Sequence, residues 1–246
     1  MQSIDAFNEH LWNPFSALGL HSSFLAINSG TVINTWFVLA ILLLLVCIIR
    51  FYLHKKNSIL RFIVTYFTQS WMDITTQTLG SFVYQHFAIV VTLFIFIALC
   101  NIISIIPWLE EPTKDLNTAL ALGCISFCYK EVQTIRTHGF SAYVKEFFQP
   151  FFVMLPLNLI GHYSKVIALS FRLFGNIFGG AIILEIYRHA IAYSWISEIF
   201  GLLGLNLVVI LFFILFEGLM QAFVFSMLTL TYINIAVEAS EIGEID

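Results

Sequence analysis

The sequence predicts an all-α polytopic membrane protein, with about five transmembrane helices, one interfacial helix and a long tilted C-terminal helical hairpin. Three observations carry that expectation. The chain is 59% hydrophobic and only 11% charged, against about 25% charged residues in an ordinary soluble domain. Apolar runs long enough to cross a bilayer recur from Val32 onward. The last two runs are too long to cross it straight. At 246 residues the chain has room for these helices and no separate soluble domain, so one membrane domain is expected over 1–246.

The opening segment, 1–31, mixes Asp5, Glu9, His10 and His21 with Trp12 and Phe15. It reads as an external amphipathic or irregular stretch. It holds no lysine or arginine, so the basic start of a signal peptide is missing, and the first span is expected to be retained. That span, Val32 to Phe51, meets the basic cluster Arg50, His54, Lys55, Lys56 and Arg61. The positive-inside rule puts the cluster on the cytoplasmic side and the N-terminus outside. Phe62 to Ser81 carries Trp71, Asp73 and several Thr and Gln, which suits an interfacial helix. The second span, Phe87 to Pro107, leads into the acidic outer loop Glu110-Glu-Pro-Thr-Lys-Asp115. A third, weaker span runs from Leu116 to Val132 and ends on Lys130, Arg136 and Lys145, again basic and again inside. These elements fill 32–135. Cys47, Cys100, Cys124 and Cys128 fall in or beside apolar segments and read as buried thiols. Cys124 and Cys128 lack the His or Cys partners of a metal site.

The tilted hairpin is expected over 147–238. From Phe151 to Tyr187 the apolar sequence is interrupted by Asn158, His162, Lys165, Arg172, Asn176 and Glu185. From Ile199 to Val237 it is interrupted by small residues and by Asn206, Glu217, Gln221 and Asn234. A helix of about 38 residues would be about 57 Å long, nearly twice a hydrocarbon core of about 30 Å. Either it breaks, at Gly201, Gly204 or Gly218, or it lies steeply tilted. A short polar turn, Tyr187 to Ser194, joins the two runs.

Arg172 is the most informative single residue. An arginine cannot deprotonate to escape lipid, and its charge at the helix centre costs several kcal/mol or more. Such a residue lines an ion pathway or answers a buried carboxylate. A snorkelling arginine at a helix end is the plainer alternative, disfavoured because apolar sequence continues on both sides and Asn176 follows one turn later on the same face.

Ser164-Lys165 followed by Leu169-Ser-Phe-Arg172-Leu-Phe-Gly-Asn176 closely resembles the signature helix of subunit a of F-type ATP synthases. The run from Gln221 to Tyr232 resembles that family's final helix, and the spacing between the two motifs fits as well. The second span, the loop with Asp115 and the segment Gly139 to Pro150 resemble it more loosely. The resemblance implies a non-catalytic stator subunit that forms two offset half-channels against a rotating ring of c subunits. Its partners would be that ring, the peripheral-stalk b subunits, the F1 sector indirectly and the lipid bilayer, with no nucleic acid and no cofactor. Arg172 would keep the passing ring carboxylate ionised and block a short circuit between the half-channels. An opposite charge does lower a carboxylate's pKa, and a lysine would shed its proton more readily when desolvated. The membrane implied is a bacterial inner membrane or, alternatively, an organelle inner membrane.

If Arg172 and Gln221 lie at equal depth on antiparallel helices, Glu217 falls near Asn176, while Glu185 lies about 20 Å from the arginine along the first helix at about 1.5 Å per residue. Asn176, Glu217 and Gln221 are therefore expected to line a proton path, with Glu185, His189 and Asp115 toward its outer mouth. For Asn176 and Gln221 an interhelical hydrogen bond is the plainer reading. For Asp115 it is a solvated loop charge, and for His162 and Lys165 it is interfacial anchoring. The chain departs from the family pattern at Ala181, nine residues after the arginine, and at Ile214, seven before the glutamine, where members often carry ionisable groups. Glu185 and Glu217 each stand about one turn away. The rival class is a secondary transporter with a midplane arginine for an anionic substrate. It would be expected to show internal repeats, and none is visible.

Overall fold

The computed structural model describes residues 11–12, 27–53, 59–106, 109–148, 151–192, 204, 208 and 211–242. Most of the external segment 1–31, the basic residues His54 to Lys56, the end of the polar turn with Gly201, and residues 243–246 lie outside the described residues. Apart from a two-residue antiparallel pairing of β1 (Leu11–Trp12) with β2 (Ile27–Asn28), the described regular structure is helical.

Helix α1, Ser29–Leu53, is apolar all round and buries only Val38 within the chain. A helix apolar on every face needs an apolar medium on the faces its neighbours leave open. Helix α2, Ile59–Leu79, buries Trp71 and Thr75, one turn apart. The Trp71 ring sits 4.8 Å from Phe94 and 6.0 Å from Phe223, and Phe67 sits 6.0 Å from Phe94, so α2 is docked onto the bundle through an aromatic cluster. Helix α3, Tyr84–Ile102, tightens into a 3-10 turn at Ile103–Ile105.

Helix α4 runs from Leu116 to Phe148 and does not stop near Val132 as expected. The basic stretch is helical, and the break comes at Gly139, whose φ 79, ψ 156 is a conformation open essentially to glycine alone. Helix α5, Leu155–Ala192, is unbroken over 38 residues, so the first half of the hairpin meets the length problem without a break. The second half is different. Gly204 has φ 72, a π-helix spans Phe212–Glu217, and α6 follows as Gly218–Ile242. Gly218 itself is helical, so it is not the break the sequence allowed for. Among the described residues four helices are long and apolar enough to cross a membrane: Ser29–Leu53, Tyr84–Ile105, Phe152–Tyr187 and Leu215–Val237. The expected third span is helical but is not one of the four. The chain is an all-α multi-pass membrane protein.

Its core lies where α3, α4, α5 and α6 meet, built from Leu93, Ile97, Leu122, Leu169, Leu173 and Phe225. Lipid is as apolar as these side chains, so burial alone does not hold such helices together; close packing and interhelical hydrogen bonds do. Both are present. Ser126 and Thr229 pair at 2.8 Å between α4 and α6, and His86 meets the Tyr129 hydroxyl at 2.9 Å between α3 and α4. Gly123 lets α4 approach Ser170 of α5, and Gly218 lets α6 approach Asn101 of α3.

Candidate functional site

Helix α5 carries Arg172 and Asn176 on one exposed stripe, while Leu173 and Ile177 on the opposite side enter the core. The periodicity follows from the sequence: residues four apart share a face, and those one further on turn inward. Across from the stripe stand the π-helix and the start of α6. A π-helix places more residues in each turn than an α-helix and recurs at functional sites. Here it ends on Glu217, and α6 then presents Gln221 one turn later.

Arg172, Asn176, Phe216, Glu217 and Gln221 line one open pocket of about 400 Å³. The Asn176 Nδ2 donates to Gln221 Oε1 at 2.6 Å. This is the interhelical bond anticipated as the plainer reading, and it corrects the expected register. Asn176 faces Gln221, so the pairing is displaced by one turn from equal depth of Arg172 and Gln221. Gln221 is buried, and its Nε2 has no hydrogen-bond partner among the described residues. Arg172 has no carboxylate within 4.0 Å among the described residues. Its surroundings on the open face are Phe171, Phe212, Phe216 and Met220, all exposed and all apolar.

A second cavity, of about 210 Å³, lies toward the acidic loop. Its polar lining is Asn101, Ser104, Glu110, Glu111, Glu185 and Glu217, with Lys114 at the rim and Ala181 among its apolar walls. Glu217 is the one residue common to both linings. Asn101 fastens this region: its Nδ2 donates to the Gly218 carbonyl at 2.8 Å, and its Oδ1 accepts from the Thr113 hydroxyl at 2.8 Å. One buried amide therefore ties α3 and the loop to the first residue of α6. Burial pushes the Glu111 carboxyl above the usual range. A hydrogen bond from Ser104 and the Lys114 charge act against this, and the Glu217 and Glu110 charges reinforce it.

The predicted residues thus divide. Arg172, Asn176, Glu217 and Gln221 come together. Glu185 joins the second cavity and lies 3.5 Å from the His189 Nε2, both side chains exposed. Asp115 does not line that cavity; its Oδ1 accepts the Asn117 backbone N–H at 3.0 Å and caps α4. His162, expected as an interfacial anchor, is 3.2 Å from Glu131, which also takes Lys130 at 2.9 Å. Sequence reasoning passed over Asn101 and Glu111. A buried asparagine inside an otherwise apolar span was the available signal for the first. Nothing in the spacing distinguished Glu111 from its neighbour Glu110.

Comparison with known proteins bears on this arrangement. The sequence model of the family described as ATP synthase A chain matches residues 32–234. The chain is 31% identical over 229 residues to "ATP synthase subunit a, sodium ion specific" of Propionigenium modestum, covering 86% of this chain and 75% of that one. It is 32% identical over 208 residues to "ATP synthase subunit a" of Moorella thermoacetica, covering 83% and 88%. Similarity to "ATP synthase subunit a 2" of a Picosynechococcus species is 31% over 224 residues, covering 89% of each.

Proposed function

The chain belongs to the ATP synthase A chain family, and from that premise we propose that it is the proton-translocating stator subunit of an F-type ATP synthase, non-catalytic itself. The observation that carries the proposal is the placement of Arg172: a permanent charge on an open apolar face, with no carboxylate within 4.0 Å among the described residues. A guanidinium in such a place is stabilised by an opposite charge brought from outside the chain. A carboxylate on a rotating ring of c subunits supplies it once per passing subunit. While it faces Arg172 that carboxylate is held ionised. It takes up a proton on one side of the arginine and loses it on the other.

The two cavities support the outer half of the route. Protons from the outer water reach the acidic cavity, pass to Glu217, and leave it into the Arg172 pocket toward the ring. The Asn176–Gln221 bond fixes the two helices beside the arginine. Glu185 and His189 stand at the outer mouth, with Asp115 shaping the loop beside it. The peripheral-stalk b subunits hold the chain against the ring, and the F1 sector is driven through the ring. The residence proposed is a bacterial inner membrane.

Reconstitution tests this against a transporter. In lipid vesicles with an imposed potential, the chain with its ring should conduct protons. The chain alone should conduct nothing specific. Solute transport by the chain alone would contradict the proposal. So would flux carried by sodium and indifferent to protons, the specificity printed in the name of the Propionigenium relative.

A further inference from the structure

Resting on the reading above, we propose that Glu111 is the outer proton relay of this chain, passing protons to Glu217 across the acidic cavity. Ala181, where family members often carry an ionisable group, is one of the apolar walls of that cavity and offers no proton carrier. The carboxylates that do line it are not equivalent. Glu110 is 75% exposed at its side chain and lies 4.0 Å from Lys114. Glu185 is 62% exposed and close to His189. Both side chains are largely exposed. Glu111 is half-buried, carried on the loop between fully buried Pro112 and Thr113 and the end of α3.

The position of Glu111 is fixed from two sides. Thr113, two residues on, is bound to Asn101, and Asn101 is bound to the Gly218 carbonyl next to Glu217. The bonds Thr113–Asn101–Gly218 therefore tie together the two carboxyl-bearing segments, and Glu111 and Glu217 both line one cavity. With about 210 Å³ of space against about 30 Å³ for a water molecule in the liquid, the gap has room for a short water bridge. The titratable or charged groups near Glu111 among the described residues are Glu110 and Lys114 on its own loop, Cys100 on α3, Glu185 on α5 and Glu217 on the π-helix. Burial raises the Glu111 carboxyl, the direction that lets a carboxyl hold a proton long enough to pass it on.

The step balances simply. A hydronium ion in the outer water gives its proton to the Glu111 carboxylate. The resulting O–H passes that proton to the Glu217 carboxylate, restoring the Glu111 anion. Glu217 passes it to the ring carboxylate and is itself restored. No other bond changes. In the opposite direction of rotation the same transfers run backwards.

ATP-driven proton pumping by the assembled complex in inverted vesicles, normalised to complex content, tests the assignment. Glu111→Gln keeps the shape and a partner for Ser104, and should lower pumping by about a hundredfold, the low end of what a positioned proton carrier contributes. Glu111→Asp should retain most of it. Ala181→Glu placed in the Glu111→Gln background should restore it by returning a carboxyl to the same cavity. Wild-type pumping by Glu111→Gln would overturn the relay. Failure of both Glu111→Asp and Ala181→Glu to restore pumping would make Glu111 a structural residue and overturn it too. If instead the wild-type complex pumps no protons, or Arg172→Ala pumps normally, the underlying proton-translocating reading has failed and not the relay alone.

Discussion

At the scale of single residues, the sequence placed a guanidinium, an amide pair and a carboxylate where the structure shows one pocket. Each is expensive inside an apolar medium, and each by itself has a dull structural explanation. Together they do not, because the amides bond to each other while the two charges line the same pocket from different helices with no ion pair between them. Among the described residues Glu217 lines both the acidic cavity and the arginine pocket. Replacing Glu217 with Gln removes the only titratable side chain common to both, so proton pumping by the assembled complex should fall at least about tenfold. Pumping at the wild-type rate would take Glu217 out of the path.

At the scale of elements, close approach of helices explains more than apolar burial. A Cβ added at Gly218 would stand 2.8 Å from the Asn101 Cβ, which cannot move without its helix. A Cβ added at Gly123 would meet the Ser170 Oγ, an atom that swings away by one side-chain rotation, and otherwise makes ordinary contacts. Gly218→Ala should therefore destabilise the fold by about 1–3 kcal/mol, read as less assembled complex in membranes or a lower melting temperature. Gly123→Ala should cost clearly less. Equal losses would show that the Asn101 contact is not what limits the α3–α6 approach. The spans near Val32–Phe51 and Phe87–Pro107 were legible because continuous apolar sequence has one explanation in a membrane protein. The course of α4 was not, because lysine and arginine mark sidedness and say nothing about where a helix stops; it kinks at Gly139 and runs on to Phe148. The π-helix was also invisible, since it shifts phase without altering composition. That phase shift is why Ile214 and Glu217 cannot be compared with a family position by counting residues.

At the scale of the whole molecule, the arrangement is asymmetric across the bundle. The core closes α3, α4, α5 and α6 against one another, and the stripe with Arg172 is left outward among exposed aromatic side chains. The loop after α3 has Lys114 as its sole lysine or arginine, while Arg50, Lys55, Lys56 and Arg61 follow or end the first span and Lys130, Arg136 and Lys145 fall along α4, a distribution the positive-inside rule reads as sidedness. Among the described residues a cavity beside the acidic loop and a pocket on the open face share Glu217 in their linings. In the proposed function, Arg172 keeps ions from passing along that face without turning a partner. The most direct test is ATP-driven proton pumping in inverted vesicles by an assembled complex carrying Arg172→Ala. Pumping should be lost while the complex remains assembled; pumping at the wild-type rate would contradict that role and leave Arg172 as a structural charge.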